Sequence, residues 1–159
     1  MDLLHFMKEE YSAIRSHFPG LAPGDLAESL EGSELQHFMA RVELVIKVGG
    51  DLVIPELVEA GRAASAAAML AEEQTRSLAR VVVAYKRAGT LPDLKRAEIF
   101  RKIVAHVDQM ERVVLPLVRE LIPTAVREDI GEIAVDYRED LASLLGKPSK
   151  PEAGSTISA

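Results

Sequence analysis

The chain has 159 residues, of which 48% are hydrophobic and 28% charged, with a net charge of −6, as is typical of one soluble globular domain. Both signs of charge are interspersed, so the basic patch of a nucleic-acid binder is not expected. No run of 18 apolar residues and no leader-like N-terminus is found, so we expect no membrane association and a cytoplasmic location. The absence of cysteine excludes disulfides, thiolate zinc sites, iron–sulfur clusters and cysteine nucleophiles.

The first half of the chain predicts two helices. The first covers Asp2 to about His17 and ends at PGLAPGD, after which DLAESLEG forms a short helical turn. The second begins at SELQ, where Ser33 and Gln36 have the spacing of a capping box. Its sequence continues through Gly49-Gly50, which weakens a helix, to Pro55, which kinks or ends it.

The second half of the chain predicts three more helices. RAASAAAMLAEEQTRSLARVVVAYKRAG forms the third and ends at Gly89. The fourth runs from about Leu94 to Leu121, with its apolar residues and His106 spaced alternately by three and four. TAVREDIGEIAVDYREDLASLLG forms the fifth. The predicted fold is all-α: an antiparallel up-down four-helix bundle over residues 1–145, with an additional C-terminal helix, followed by a disordered polar tail over 146–159.

Two helical hairpins repeat at an offset of about 62 residues. EEYSAIR in the first helix corresponds to EEQTRSL in the third, and VIKVGGDLVIPELVE in the second corresponds to HVDQMERVVLPLVRE in the fourth. Aligning Pro55 with Pro116 places Val45 opposite His106 and Gly49 opposite Met110. Each half therefore contributes an acidic-pair helix and a helix with a proline near its end.

The order and spacing of these motifs resemble the hemerythrin-like, or HHE cation-binding, family over roughly Leu3 to Leu145. The resemblance implies a four-helix bundle that holds a di-iron centre through histidines from all four helices and two carboxylates. It also implies dioxygen carriage, or the sensing of dioxygen, nitric oxide or iron. Imidazole and carboxylate groups projecting from facing helices suit iron chemically.

The family's ligand positions carry over to four residues outside the second helix. Tyr11 follows the acidic pair of the first helix, and Gln74 follows the acidic pair of the third. His106 lies ten residues before the proline of the fourth helix, where the resemblance implies a histidine ligand. Glu111 matches the carboxylate of that helix. These four residues are the candidate metal ligands.

The second helix lacks both of its expected ligands. Val45 stands at the histidine position and Gly49 at the carboxylate position, and neither offers a side-chain oxygen or nitrogen. The first hypothesis is therefore a non-enzymatic hemerythrin-like bundle that has lost the di-iron centre. It would have no cofactor and a structural, regulatory or protein-binding role, with a protein partner or self-association. An apolar core filled by Val45 and Met110 fits this hypothesis, because unmetallated buried polar groups are costly.

Two alternatives remain. One is a non-haem iron sensor or carrier with a reduced site, in which His106 and Glu111 bind the metal with Tyr11, Gln74 or His5. The other is a small-ligand pocket left by the two glycines of the second helix.

Each candidate also has an ordinary structural interpretation. His106 can be a buried neutral histidine with one hydrogen bond, to Tyr11 or Gln74, and Glu111 a helix-edge charge paired with an arginine or lysine. His5 has a surface or capping position. ELQH, which fits the E-x-x-H pattern of ferritin-like bundles, occurs only once. The paired carboxylates, Glu9, Glu10, Glu72 and Glu73, are expected on solvated helix faces.

Overall fold

The structure is a computed structural model that describes residues 1–17 and 30–146. Over these residues the chain is all-helical, with five helices and no strand. Two of the five are divided by a π-helical segment, so their parts carry separate labels. The α-helical parts are α1 (Leu3–Arg15), α2 (Gly32–Val48), α3 (Ile54–Glu59), α4 (Arg62–Ala88), α5 (Arg96–Gln109), α6 (Leu115–Leu121) and α7 (Thr124–Gly146). The π segments are π1 (Gly49–Val53), between α2 and α3, and π2 (Met110–Val114), between α5 and α6.

Two helix ends follow from local sequence signals. Asp2 caps α1 by accepting a hydrogen bond from the amide of Leu4 at 2.8 Å, which satisfies one amide that the helix cannot. Gly89 ends α4 with a φ of 73°, a left-handed conformation that glycine adopts without strain. The predicted stop at Gly89 is confirmed. The turn predicted for DLAESLEG falls mainly on residues 18–29, and the polar tail mainly on 147–159, so these predictions lie outside the described residues.

The predicted capping box at the start of the second helix is wrong. α2 begins at Gly32, and its N-cap is Glu31, which makes no side-chain capping bond. Ser33 therefore lies in the first turn of the helix and not at its N-cap position. Gly32 has a φ of 58°, a conformation that lets the chain enter the helix one residue before the serine.

The two π segments occupy equivalent positions in the repeat. Each has five residues, and the first amide after each segment donates to a carbonyl five residues earlier. Ile54 donates to Gly49 in this way, and Leu115 donates to Met110. The wider turn is therefore built twice, once in each hairpin.

A proline follows each π segment, at Pro55 and Pro116. Proline lacks an amide hydrogen, and its ring clashes with the carbonyl four residues earlier in a regular α-helix. The wider π turn relieves this clash, so the helix continues into α3 or α6. The predicted break at Pro55 is thus a local change of helical pitch.

The helices pack around one apolar core. α1 contacts α2, α6 and α7, while α4 contacts α2, α3, α5 and both π segments. The largest fully buried aromatic side chains are Phe6, Tyr11, Phe38 and Phe100. α7 covers α1 and α2. None of the helices in residues 1–17 and 30–146 is both long and apolar enough to cross a membrane.

Candidate functional site

His106 lies in the core and is held by Gln74. Its side chain on α5 is 1% exposed, and its Nδ1 atom is 2.9 Å from Oε1 of Gln74 on α4. An amide oxygen only accepts, so Nδ1 carries the hydrogen and donates it. Burial lowers the pKa of His106 to about 4, so the ring is neutral at neutral pH. Its Nε2 atom is therefore an acceptor, and it is buried without a hydrogen-bond partner.

Tyr11 is also fully buried. The side chain on α1 is 0% exposed, and its hydroxyl has no hydrogen-bond partner. Burial, and secondarily the negative charge of Glu111, raise the pKa of Tyr11 well above its ordinary value, so the phenol stays protonated. Of the two partners expected for His106, Gln74 makes the bond and Tyr11 does not.

Glu111 lies at the edge of the helix pair, on π2. Its Oε1 atom accepts from Nε of Arg15, on α1, at 2.5 Å. The same guanidinium binds Asp108, one turn earlier. The side chains of Arg15 and Glu111 are 43% and 35% exposed. Glu111 thus behaves as a helix-edge charge.

The four candidate ligands are linked two by two. His106 contacts Gln74, and Tyr11 lies within the electrostatic influence of Glu111. Residues 1–17 and 30–146 contain no group of three or more histidine, cysteine, aspartate or glutamate side chains placed to hold a metal ion. One imidazole and one carboxylate already bonded to arginine do not fit a di-iron centre, which needs several anionic and imidazole ligands.

The two glycines of π1 allow close packing and leave no open pocket at their own positions. A Cβ atom at Gly49 would lie 3.8 Å from the terminal methyl of Met110, and one at Gly50 would lie 3.2 Å from the methyl of Thr75. Val45 is 2% exposed and Met110 is 0% exposed. Methyl groups of Met110 and Thr75 therefore lie beside the two glycines, and a ligand pocket at this place stays a hypothesis.

Thr75 is a half-buried residue with a buried hydroxyl, which the sequence does not reveal. Its hydroxyl is buried without a hydrogen-bond partner. A single threonine in a helix carries no functional signal. The structure shows that the methyl group of Thr75 lies beside Gly50 of π1.

The other histidine candidates lie at the surface. His5 is exposed and pairs with Glu9 at 3.1 Å, one turn along α1. His37 is exposed, with its Nδ1 atom 2.6 Å from the carbonyl of Ser33. Glu34, the first residue of ELQH, is exposed as well. These residues do not join the His106 region.

Glu10 corrects the expectation that all paired carboxylates are solvated. It is 3% exposed, and its two oxygens accept from Arg41 at 3.1 Å and from Arg138 at 3.2 Å. Arg138 also lies over the ring of Phe6, 4.8 Å from its centre. The residue ties α1 to α2 and α7, because one arginine comes from each of those helices. A buried carboxylate between two arginines is structural, since both oxygens are used.

Two cavities lie between α4 and its neighbouring helices. One of about 510 Å³ lies between α2, α4 and α7, and none of the four candidate ligands lines it. Its apolar lining residues are Met39, Val82, Leu141, Leu144 and Leu145. A second, of about 260 Å³, lies between α4 and α5 and is lined by Gln74, Lys102 and Ala105 among others. Gln74 therefore contacts both a surface cavity and the buried imidazole.

Comparison of the chain with protein-family models, with curated proteins and with solved structures finds no match in any of the three.

Proposed function

We propose that the protein is a hemerythrin-like helical bundle that acts without a di-iron centre, in a non-enzymatic structural, regulatory or protein-binding role. One observation carries this proposal: an arginine of the chain already binds Glu111, the carboxylate at the ligand position of the fourth helix. Gln74 binds His106, and Arg15 binds Glu111. A metal ion at Glu111 would have to displace Arg15, whereas the bond to Gln74 uses Nδ1 of His106 and leaves Nε2 unpaired.

The bundle arrangement is part of the same proposal. We take the fold to be an antiparallel up-down four-helix bundle, with α7 as an additional helix across one face. Contacts of α1 with α2, of α2 and α5 with α4, and of α6 with α1 support a closed ring of four helices. The connection between α3 and α4 is short, at Ala60–Gly61, as in bundles of neighbouring antiparallel helices.

Arg15 supplies the positive charge that a metal would supply to these carboxylates. Its guanidinium bonds to both Asp108 and Glu111, and these bonds raise the pKa of Arg15 above its ordinary value. Replacing a metal by an internal cation keeps the carboxylates paired. In α2, the corresponding position is taken by Val45. Its side chain is apolar and needs no hydrogen-bond partner.

Metal analysis tests the proposal. The chain is purified from iron-rich medium, and its metal content, visible spectrum and melting temperature with and without ferrous iron are measured. We expect no stoichiometric metal and an unchanged melting temperature, because a ligand that binds only the folded state must stabilise it. A di-iron stoichiometry would contradict the proposal. Arg15→Met serves as the comparison variant, because it frees Asp108 and Glu111 without altering His106.

A second candidate is a non-haem iron sensor or carrier with a reduced site. The observation that favours it is that Nε2 of His106 and the hydroxyl of Tyr11 are both buried without a partner. A tyrosine–iron bond gives a visible absorption band, so the band should appear in the iron-loaded protein and vanish in Tyr11→Phe. A band with this behaviour would replace the first proposal by the second.

A cytoplasmic location and a protein partner, or self-association, complete the proposal. The net charge of −6 supports a partner other than nucleic acid. Sedimentation of the purified chain over a range of concentrations tests self-association directly. A single monomeric species at all concentrations would leave a different protein as the partner.

A further inference from the structure

The outward face of α4 combines exposed apolar side chains with charges of both signs. α4 is the longest helix that the structure describes, with 27 residues, and this number corresponds to a length of about 40 Å. One side of α4 packs against α2, α3 and α5. On the other side, Met69 is 70% exposed and Val83 is 48% exposed. α4 therefore presents a long, partly apolar face on the outside of the bundle.

Arg76 marks the centre of this face. Successive residues of an α-helix are rotated by about 100° and rise by about 1.5 Å along its axis. Met69 and Val83 each lie seven residues from Arg76. They therefore point within about 20° of the direction of Arg76, about 10.5 Å to either side of it. The face thus has one exposed apolar side chain at the same distance on each side of a central arginine.

Glu73 and Arg80 lie along one edge of the same face. Measured from Arg76 around the helix axis, Glu73 is rotated by about 60° and Arg80 by about 40° in the same sense. They are seven residues apart, whereas ion pairs within a helix join residues three or four apart. Both side chains are exposed, and within residues 1–17 and 30–146 neither forms an ion pair. The edge therefore offers one acidic and one basic group to a partner.

A second copy of the chain complements this face around a two-fold axis at Arg76. With α4 of the two copies antiparallel, each level of one helix faces the level equally far beyond Arg76 in the other. Met69 then faces Val83 of the second copy. Glu73 lies beside Arg80 of the second copy, because the two-fold axis keeps both on the same side of the contact, at levels about 1.5 Å apart. Each of these contacts occurs twice, since the interface is self-complementary.

Arg76 lies on the axis, next to its own copy, and its charge is already compensated. Its guanidinium donates to Glu72 of the same helix at 2.9 Å, so each Arg76 enters the contact as half of an ion pair. Between Met69 and Val83, two glutamates and two arginines are the only charged residues, so this part of the face has no net charge. Two copies therefore meet here without net electrostatic repulsion, although the whole chain has a net charge of −6.

We propose that two copies of the chain associate through this face of α4, antiparallel and around a two-fold axis at Arg76. Burial of Met69 against Val83 of the second copy contributes hydrophobic stabilisation, and the ion pairs between Glu73 and Arg80 set the register of the two helices. The partner is a second copy because the apolar and charged groups of the face complement their own arrangement. This dimer rests on the self-association that forms part of the proposed function.

Exchange of the two charges tests the pairing, with dimerisation measured by sedimentation over a range of concentrations. Glu73→Arg and Arg80→Glu should each weaken dimerisation about tenfold or more, because each change brings like charges together twice in a two-fold dimer. The variant with both changes should return to within about threefold of the unmodified chain, since opposite charges meet again. Glu132→Arg is the matched control, because Glu132 is exposed on α7 and the charge change equals that of Glu73→Arg. The control should leave dimerisation unchanged.

Distances between spin labels test the position of the axis. The chain contains no cysteine, so Ser65→Cys and Arg87→Cys each give one labelling site per copy. Both positions lie eleven residues from Arg76, so pulsed EPR should give the same distance between copies for both, about 33 Å from the axial rise.

Three results would each overturn the dimer. They are a monomer at all concentrations, single charge changes that weaken dimerisation no more than the control does, and label distances that differ between the two sites or are short at both. None of them bears on the absence of a di-iron centre, which metal analysis decides separately. Stoichiometric iron in an intact dimer would overturn the proposed function and leave the α4 interface standing.

Discussion

The amide oxygen of Gln74 fixes the tautomer of His106. The two residues lie 32 positions apart in the sequence, and their side chains meet at 2.9 Å between α4 and α5. The bond places the ring hydrogen on Nδ1 and turns the acceptor nitrogen, Nε2, into the core. One hydrogen bond thus joins α4 to α5 and determines which nitrogen of His106 is the acceptor in the core.

Gln74→Leu should destabilise the protein by removing the only acceptor that Nδ1 of His106 uses. A buried donor left without a partner costs about 1–3 kcal/mol, measured as a lower free energy of unfolding in urea. Glu73→Leu, at the exposed neighbouring position, is the control and should change stability by less than about 0.5 kcal/mol. Equal effects of the two variants would show that the bond contributes nothing.

The neutrality of His106 predicts a loss of stability in mild acid. Its pKa is lowered by burial from 6.5 to about 4 in the folded state. The unfolded chain therefore binds a proton first, so the stabilising contribution is complete above pH 6.5 and falls between pH 6.5 and 4. The full loss is about 3 kcal/mol, at 1.36 kcal/mol for each unit of pKa.

Urea unfolding at several pH values between 7 and 4 checks this prediction. His106→Gln, which cannot titrate, should show a shallower fall of stability with acid. Burial also lowers the pKa of His17. Because both proteins contain His17, its contribution to the acid dependence of stability is the same in each. The prediction fails if the two proteins lose stability in parallel.

Glu10→Gln should weaken the contact between α1, α2 and α7. The carboxylate is buried and bonds to Arg41 and Arg138, and hydrogen bonds to charged groups contribute about 1.5–3 kcal/mol. Glu9→Gln is the matched control, because Glu9 is 42% exposed and bonds to the same Arg138. The control should lose less than about 1 kcal/mol. The free energy of unfolding of both variants is measured by chemical denaturation. Equal losses in the two would show that the buried ion pairs of Glu10 contribute no more than the exposed pair of Glu9.

Gly131→Ala should displace the N-terminus from α7. A Cβ atom at Gly131 would lie 1.8 Å from the carbonyl oxygen of Met1 and 2.9 Å from the amide of Leu3, so the backbone has to move. We expect a loss of about 1–3 kcal/mol and faster hydrogen exchange at the amide of Leu4, whose cap Asp2 shifts with Met1. Gly146→Ala has nothing within 4 Å and should be neutral or stabilising by up to about 1 kcal/mol. Unchanged exchange at Leu4 in Gly131→Ala would contradict this packing.

The sequence by itself determined the helices. Apolar spacing, together with glycine and proline stops, placed the C-terminal helix at Thr124–Gly146 and the end of α4 at Gly89, as observed. Those signals are local, because each helix needs one apolar stripe and an end. The proline repeat also pointed to Gly49 and Met110 as equivalent positions, where the two π segments begin.

The tertiary structure alone decided which polar groups share an environment. Glu111 pairs with Arg15 across 96 positions of sequence, and Glu10 is buried only because arginines from two other helices reach it. The spacing of residues along the chain and its composition do not predict these contacts, because the contacts depend on how separate helices pack. The same packing places Thr75 beside Gly50 and buries Tyr11 and His106 in the core, a relation that no single helix contains.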